Sequence, residues 1–235
     1  MNAIILAGGK GTRISRMIQW VPKATVLVGE KPLIKHTVEK LLLHGISDIS
    51  VCTGYKKEIV QTALSGFNIR FYNNPFFDIT NSIASLWFAR ESIIDDCIIM
   101  NGDVYFEEDL LSDFLNSVGD YILCVDSSRI EEGDYFLELK PDGCLMNYGK
   151  ELDVKKRSCE YVGMAIVRKT VAQSFRMLLE KLINSQQHKL WWENTLYTLS
   201  DMGEQILTND VNGKFWAEVD YFKEYERILR FVGVE

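Results

Sequence analysis

Short apolar runs alternate with amphipathic stretches along the first half of the chain. Apolar runs bounded by turn residues predict buried strands, and apolar residues at helical spacing predict helices that cover them. The strands predicted in this way are 2–7, 24–28, 49–53, 68–72, 96–100 and 121–125, and the helices are 33–44, 56–65, 82–92 and 107–116. This alternation is typical of βαβ units, so the pattern predicts an α/β fold with a Rossmann-like, mainly parallel sheet sandwiched by helices.

The second half of the chain has a different pattern. Residues 135–139 and 145–148 flank a Pro-Asp-Gly turn and predict a small antiparallel hairpin. The further predicted strands are 160–167, 206–208 and 215–219, and the further helices are 170–184, 189–202 and 221–232. Because no Pro-, Gly- or Ser-rich linker separates the two halves, the sequence predicts a single domain over 1–235.

Composition narrows the class of protein. The chain has 47% hydrophobic and 25% charged residues, as globular proteins do, and a net charge of -7 argues against nucleic acid or an anionic membrane as the main partner. No apolar run reaches the ~18 residues of a membrane span, and the first strand is too short for a signal sequence, so we expect a cytoplasmic location. The spacing of the cysteines and histidines predicts neither a disulfide framework nor a zinc site.

A glycine-rich turn follows the first predicted strand. Gly8, Gly9 and Gly11 allow a ligand to approach the backbone closely, and exposed N–H groups in such a turn bind phosphate oxygens. Lys10 and Arg13 add positive charge, and a guanidinium can bind phosphate through two hydrogen bonds. The spacing is neither G-x-G-x-x-G nor G-x-x-x-x-G-K-[ST], which disfavours a dinucleotide fold and a P-loop NTPase. The alternative interpretation is a tight turn with two solvated cations.

Acidic residues follow two of the predicted strands. Asp103 comes just after the strand 96–100, and ligands of open α/β sheets bind at the carboxyl ends of the strands. On the last predicted strand, Glu218 and Asp220 share a face with Trp216, and a divalent cation relieves the repulsion between neighbouring carboxylates. The alternatives are a turn-forming aspartate at position 103 and a helix cap at position 220.

At these motifs the chain resembles the sugar-phosphate nucleotidyltransferase superfamily. Residues 6–13 read L-A-G-G-K-G-T-R, and Pro22-Lys23 follows at the distance found in that superfamily. The resemblance implies the nucleotidyltransferase type of fold with an NTP bound across the glycine turn. Residues 14–18 depart from the usual leucine- and proline-rich stretch, so the resemblance does not define the geometry of that loop.

The resemblance also implies roles for individual residues. Lys23 would reach the α-phosphate or the incoming acceptor, and the catalytic set comprises Lys23, Arg13, Asp103 and Asp220. Asp103 and Asp220 would hold a catalytic Mg²⁺, with Glu218 beside them as a third metal-binding residue. The residues expected to bind the nucleotide are Leu6, Ala7, Gly8, Gly9, Lys10, Gly11, Thr12, Arg13, Thr80, Asn81, Ser82, Asn101 and Gly102.

Four segments narrow the resemblance to the compact cytidylyltransferases that activate phosphocholine or 2-aminoethylphosphonate. These segments are 73–77, 80–87, 191–194 and 216–221. The resemblance implies that Thr80–Ser82 contacts a pyrimidine and that a Trp-Glu helix lines the acceptor pocket. It also divides the chain into a nucleotide-binding half, 1–125, and an acceptor-binding half, 126–235. The residues expected to bind the acceptor are Lys23, Trp192, Glu193, Trp216 and Glu218.

The residues of the predicted Trp-Glu helix bear on the choice of acceptor. Adjacent tryptophans on a helix lie about 100° apart, so one of Trp191 and Trp192 is expected to pack inward and the other to line a cleft. Trp192 and Glu193 are expected to bind the ammonium end of the acceptor, and several carboxylates favour a primary amine over a trimethylammonium. The alternative is two core tryptophans with a solvated glutamate.

These observations lead to one functional prediction and its rivals. The chain is predicted to be a cytidylyltransferase that moves CMP from CTP to a small amine-bearing phosphonate or phosphate, with 2-aminoethylphosphonate as first choice and Mg²⁺ as cofactor. No nucleic acid or membrane partner is expected. A phosphocholine cytidylyltransferase is the first alternative. A hexose-1-phosphate nucleotidylyltransferase and a non-catalytic nucleotide-binding module remain open.

Overall fold

The computed structural model describes residues 1–11 and 20–233. The α-helices in these ranges are α1 Leu33–Leu43, α2 Lys57–Ala63, α3 Ser82–Phe88, α4 Glu108–Leu115, α5 Ala172–Asn184, α6 Asn194–Asp201 and α7 Phe222–Phe231. The strands are β1 Asn2–Ala7, β2 Leu27–Val28, β3 Lys31–Pro32, β4 Ile49–Thr53, β5 Ile69–Asn73, β6 Cys97–Asn101, β7 Val104–Phe106, β8 Tyr121–Asp126, β9 Phe136–Leu139, β10 Leu145–Gly149, β11 Cys159–Val167, β12 Ile206–Asp210 and β13 Trp216–Glu218.

The main sheet combines a parallel part with an antiparallel part. β1 lies between β4 and β6 in parallel pairing, and β5 extends this part beyond β4. β11 runs antiparallel beside β6 and also pairs with β8 and β9, while β12 pairs with β8 in parallel. β9 and β10 form an antiparallel hairpin. The predicted α/β class, with a mostly parallel central sheet and a small hairpin, is confirmed.

Both faces of the sheet are covered by helices, as β1 illustrates. Every residue of this strand is buried, with Ile4 and Leu6 in one hydrophobic cluster and Ala3, Ile5 and Ala7 in the other. Side chains from α3, α5 and α6 complete the first cluster, and side chains from α1, α2 and α4 complete the second. A strand buried on both faces has a continuous apolar sequence, which is the pattern at the start of this chain.

Three elements differ from the sequence prediction. A 3-10 turn at Lys23–Thr25 and the short strand β2 replace the strand predicted at 24–28. Strand β7 was not predicted. The helix predicted at 189–202 begins only at Asn194, because the carbonyls of His188 and Leu190 accept backbone hydrogen bonds from the start of α3. These tertiary hydrogen bonds hold the segment before α6 in a non-helical path.

A two-stranded sheet outside the main one joins distant parts of the chain. β7 and β13 pair antiparallel, with Val104 opposite Glu218 and Phe106 opposite Trp216. Because the pair is antiparallel, the residue before β7 lies close to the residues that follow β13. None of the described helices has the length and apolar composition to cross a membrane.

Candidate active site

A cleft of about 480 Å³ opens beside the ends of β1 and β6. Its walls come from both halves of the chain: the glycine turn and the start of α3 from the first half, and the hairpin, β11 and the segment before α6 from the second. The residues predicted to function that line it are Leu6, Gly8, Gly9, Lys10, Gly11, Lys23, Thr80, Asn81, Ser82, Asn101, Asp103, Glu193, Glu218 and Asp220. One cavity therefore brings together segments more than 200 residues apart in the sequence.

The glycine turn forms one wall of the cleft. Gly11 has a φ of 61°, and a Cβ at this position would lie 2.5 Å from Cγ of Lys23. Glycine at position 11 thus permits the stem of Lys23 to cross the turn. Lys10 pairs with Asp78 and lies 5.7 Å from the centroid of the Phe77 ring. The predicted residues Thr12 and Arg13 lie outside the described residues.

Three carboxylates converge where β7 and β13 meet. Asp103 directly precedes β7, and its carbonyl accepts a hydrogen bond of 2.9 Å from the Val219 N–H just after β13. One carboxylate oxygen from each of Asp103, Glu218 and Asp220 lies within 4.8 Å of the others. The antiparallel pairing therefore explains why acids separated by more than 100 residues form one cluster.

Lys23 supplies the positive charge of this cluster. Its ammonium lies 3.1 Å from Oδ2 of Asp103 and also pairs with Oδ1 of Asp220. Burial raises the pKa of Glu218 to about 8; the negative charge of Asp103 also raises this pKa, and Lys23 lowers it. Hard divalent cations prefer oxygen ligands, and they relieve the repulsion between neighbouring carboxylates. The three carboxylates therefore fit Mg²⁺.

The segment predicted to contact the base is held by its own side chains. The Asn81 carboxamide accepts a 2.8 Å hydrogen bond from the Ser82 N–H and thereby caps the start of α3. Asn74 is buried and donates to the hydroxyls of Thr80 and Ser85 at 3.0 and 3.1 Å. These contacts fix the part of the cleft wall formed by Thr80–Ser82.

Asn101 connects this wall with the segment before α6. Its carboxamide oxygen accepts a 2.9 Å hydrogen bond from the indole N–H of Trp192, and its NH₂ group lies 3.4 Å from Oε1 of Glu193. Gly163, with a φ of 93° where the pairing of β11 shifts register, leaves room for this amide, since a Cβ there would lie 3.1 Å from Nδ2 of Asn101. Asn101 thus orients Glu193 from the end of β6.

The two tryptophans exchange their expected places. Trp192 has no exposed surface, and its backbone N–H donates to the hydroxyl of Ser82 at 2.9 Å. Trp191 is 41% exposed and lines the cleft. As expected, one tryptophan packs inward and the other lines the cleft. The expectation that Trp192 contacts the acceptor is wrong, because Trp192 is the one that packs inward.

Three other predicted residues lie away from the cleft surface. Trp216 is buried, and its indole N–H donates to Oδ2 of Asp126 at 2.7 Å, so it supports β13 instead of contacting an acceptor. Ala7 packs in the core beneath the glycine turn. Gly102 is buried against β1, where a Cβ would lie 2.9 Å from the Leu6 carbonyl oxygen. Ala7 and Gly102 therefore have a structural role, because they let the backbone at the ends of β1 and β6 pack closely.

The far end of the cleft is aromatic. The ring of Tyr135 stacks on Tyr197 with centroids 5.5 Å apart and meets Trp191 edge-on at 5.8 Å. Tyr148 also stacks on Tyr197, with centroids 4.3 Å apart. Burial raises the pKa of Tyr135, Tyr148 and Tyr197, so all three phenols stay neutral at physiological pH. This wall is a neutral aromatic surface beside charged groups.

Two buried glutamates at this end have different surroundings. Glu160 is 5% exposed and accepts hydrogen bonds from Nε of Arg129 at 2.6 Å and from the Asp134 N–H at 2.8 Å. Glu193 is 7% exposed and, within residues 1–11 and 20–233, has no ion pair. Burial raises its pKa to about 7. Glu193 is therefore a carboxylate whose charge lacks compensation.

Several residues of the cleft were not assigned a function from the sequence. These are Asn74, Phe77, Ser85, Asp134, Tyr135, Lys150, Glu160, Tyr161, Gly163, Trp191 and Tyr197. Gly163 interrupts an apolar strand, which is a signal for a bulge or a close approach. Asp134, Tyr135 and Lys150 carry no local signal, because their place in the cleft depends on how the hairpin folds against β11.

The comparisons with known proteins agree with this geometry. Residues 3–189 match the family model of the MobA-like NTP transferase domain. The chain is 26% identical over 230 residues to the bifunctional protein GlmU of Methanococcus maripaludis, an alignment that covers 94% of this chain and 52% of that protein. It therefore spans about half the length of that relative.

Two cytidylyltransferases align along nearly their whole length. The CTP:phosphoglutamine cytidylyltransferase of Campylobacter jejuni is 23% identical over 252 residues, with 96% of this chain and 98% of that protein covered. The solved structure of a CTP:phosphocholine cytidylyltransferase from Streptococcus pneumoniae superimposes with a TM-score of 0.79 at 21% identity, over 98% of each chain. This superposition confirms the nucleotidyltransferase type of fold. On the family match, the chain belongs to the MobA-like NTP transferase domain family.

Proposed function

We propose that this protein transfers CMP from CTP to a small amine-bearing phosphonate or phosphate and releases pyrophosphate. The observation that carries the proposal is a single cleft with two different ends: a glycine turn with Lys23 and three carboxylates at one, and an aromatic wall with Glu193 at the other. The names of two similar proteins state CTP as the nucleotide. Both the cleft and these names are consistent with an enzyme that joins a nucleotide to a small charged acceptor.

The proposed reaction needs no general base. The acceptor's phosphonate or phosphate oxygen is ionised near neutral pH and attacks the α-phosphorus of CTP. The new bond joins this oxygen to the α-phosphorus, the bond to the bridging oxygen of the β-phosphate breaks, and pyrophosphate leaves with the electron pair. Positioning and charge neutralisation then supply the catalysis.

The described residues divide this work. Backbone N–H groups of the glycine turn would bind the triphosphate, as in other glycine-rich turns. The segment Thr80–Ser82 would contact the base, and Lys23 would neutralise negative charge that develops at the α-phosphate. For Lys23 to do so, its ammonium has to leave one of the two carboxylates that it contacts in the free protein.

The three carboxylates would hold the metal. Asp103, Glu218 and Asp220 offer the oxygen donors that Mg²⁺ binds, and a bound Mg²⁺ would neutralise charge on the phosphates. Filling this site would also release the Lys23 ammonium for the nucleotide.

The acceptor's ammonium would bind at Glu193. This carboxylate is buried and is oriented by Asn101, and a primary ammonium would donate a charged hydrogen bond to it. 2-Aminoethylphosphonate is a small acceptor that carries both required groups.

The proposal is tested by a matrix of nucleotides and acceptors. Pyrophosphate release is measured with each of the four NTPs against 2-aminoethylphosphonate, phosphoethanolamine, phosphocholine and glucose 1-phosphate, with and without Mg²⁺. We expect release only with CTP, Mg²⁺ and an amine-bearing acceptor. Release with glucose 1-phosphate alone would contradict the proposal, as would nucleotide binding without turnover of any pair.

One observation favours phosphocholine as a second candidate acceptor. Tyr135, Trp191 and Tyr197 form an aromatic wall, and ring faces attract a trimethylammonium group. Against it stands Glu193, whose hydrogen-bonding capacity a trimethylammonium cannot use. A wild-type preference for phosphocholine of more than about tenfold, 1.4 kcal/mol, makes this candidate the better one.

A further inference from the structure

The aromatic end of the cleft already contains a cation. Lys150 follows β10, and its ammonium lies 2.6 Å from Oδ2 of Asp134, which lies just before β9 in the same hairpin. The same ammonium lies 5.2 Å from the centroid of the Trp191 ring. All three residues line the cleft. The ring face and the Asp134 carboxylate are therefore engaged by the protein's own positive charge.

Glu193 differs from these groups because its charge is not compensated. It is 7% exposed, and its contact with the Asn101 amide at 3.4 Å is long for a hydrogen bond to a carboxylate. Within residues 1–11 and 20–233 it has no ion pair. An acceptor ammonium consequently gains more at Glu193 than at the wall that Lys150 covers.

Lys150 also has hydrogen-bonding capacity to spare. An ammonium carries three N–H donors, and one of them is directed at Asp134. Its side chain is 30% exposed beside the cavity. A negatively charged group of a bound molecule would find donors and a compensating charge there.

We propose that the acceptor is a phosphorylated or phosphonylated amino acid, whose ammonium binds Glu193 and whose carboxylate binds Lys150. The inference rests on the proposed function and narrows its acceptor. Trp191 links the two binding groups, since it lies two residues before Glu193 and beneath the Lys150 ammonium. A zwitterionic end would be recognised by one positive and one negative side chain of the same cavity.

The opposite role of Lys150 makes a different prediction. Lys150 could instead only cover the Trp191 ring until an acceptor ammonium displaces it. In that case, removing the lysine would raise kcat/KM for every amine acceptor. If it binds a carboxylate, removing it harms only acceptors that carry one.

Matched acceptors that differ by a carboxylate test the inference. O-Phosphoserine is compared with phosphoethanolamine, and 2-amino-3-phosphonopropionate with 2-aminoethylphosphonate, by kcat/KM at saturating CTP and Mg²⁺. We expect the wild type to prefer the carboxylate-bearing member of each pair by at least about tenfold, the scale of one charged hydrogen bond. In K150Q the ratio should fall to near one, mainly through the KM of the carboxylate-bearing acceptor.

Two further variants serve as controls. K150R keeps the positive charge and should retain most of the preference, which excludes a loss due to misfolding. K140Q removes an exposed lysine of the same hairpin and should leave the ratio unchanged.

Each other outcome overturns the inference. A wild type that uses both members of each pair equally, or a K150Q variant with an unchanged ratio, removes the carboxylate site but leaves the proposed function intact. Improved turnover of phosphoethanolamine in K150Q assigns Lys150 the opposite role. If the wild type releases no pyrophosphate with any of the four acceptors, the proposed function and the inference both fail.

Discussion

The two ends of the cleft handle negative charge in opposite ways. At one end, the Lys23 ammonium contacts Asp103 and Asp220 and compensates their charge within the protein. At the other end, Glu193 is buried with an amide as its neighbour and no ion pair among the described residues. The first arrangement is compensated by a cation of the protein itself. The second is a buried carboxylate without a cationic partner among the described residues.

Glu160 shows that burial alone does not produce such a group. It lies in the same cleft and is buried to the same degree, but it binds Arg129 and a backbone N–H. Glu160 therefore has a cationic partner in the folded protein, whereas Glu193 has hydrogen bonds but no ion pair among the described residues. The difference separates a structural carboxylate from one available to a ligand.

The largest effect is expected at the compensated end. Asp103→Asn or Asp220→Asn removes a charge from the metal site, and kcat for pyrophosphate release should fall by roughly 100-fold or more. Asp142→Asn, in the exposed turn of the hairpin, is the matched control and should keep wild-type turnover. A near-native kcat of either site variant at saturating Mg²⁺ would show that the residue is not a metal ligand.

Lys23→Ala tests whether the ammonium acts in the transition state. A charge that neutralises the developing negative charge contributes more to kcat than to ground-state binding, so kcat should fall on the order of 10- to 100-fold with a smaller change in the KM for CTP. Steady-state kinetics over a range of CTP concentrations separate the two effects. A change in KM alone would assign Lys23 to nucleotide binding.

At the uncompensated end, Glu193→Gln should weaken a primary-amine acceptor selectively. Loss of a charged partner costs about 1.5–3 kcal/mol, so kcat/KM for 2-aminoethylphosphonate should fall by roughly 10- to 100-fold and that for phosphocholine much less. Trp191→Leu should have the reverse selectivity, because it removes a ring face. Equal losses for both acceptors in Glu193→Gln would contradict the assignment of Glu193.

The pH dependence of acceptor binding gives a smaller but sharper test. The pKa of Glu193 is raised to about 7 by burial, so its ionised fraction increases between pH 6 and 8. Across this range the KM for an amine acceptor should fall by about tenfold more in the wild type than in Glu193→Gln, in which only the acceptor's own phosphate or phosphonate ionises. The neighbouring titratable groups are Asp103, Tyr135, Tyr161, Tyr197 and Glu218. A pH-independent KM in the wild type would contradict the proposed role of Glu193 in binding the acceptor.

The stability of the free protein sharpens the same comparison. The folded state keeps the Glu193 proton up to about pH 7, while the unfolded chain releases it near 4.5, so this group's contribution to stability decreases as pH rises between these values. Glu193→Gln should therefore raise the free energy of unfolding at pH 8 by at most about 3 kcal/mol. Glu160→Gln should lower it, because it leaves Arg129 without its closest partner. Denaturant melts at pH 5 and 8 measure both.

Local sequence signals identified most of the residues that are proposed to bind phosphate and metal. The glycine turn and Asp103 each follow a strand that a simple pattern reveals, and Glu218 and Asp220 share a face at the last predicted strand. Lys23 was identified through the resemblance to a known superfamily. Strand β7 was missed because its three residues are too few to show a period. The sequence therefore predicted the acid cluster without predicting the strand pair that assembles it.

Most of the residues at the other end of the cleft could not be predicted from the sequence, because their positions depend on contacts between distant segments. The segment before α6 is held by hydrogen bonds to α3, so Trp191 faces the cleft and Trp192 the core, whereas Trp192 had been assigned to the acceptor. Lys150 and Asp134 meet because the hairpin β9–β10 folds against β11.

The sequence by itself determined the α/β fold and the residues at the phosphate end of the cleft, since strand periodicity and glycine turns are encoded by neighbours in the chain. Only the tertiary structure decided which carboxylates are compensated and which are not. Arg129 reaches Glu160 across 31 positions, whereas Glu193 meets the amide of Asn101 across 92. Charge compensation depends on distance in space, and distance in space is set by how the strands and helices pack.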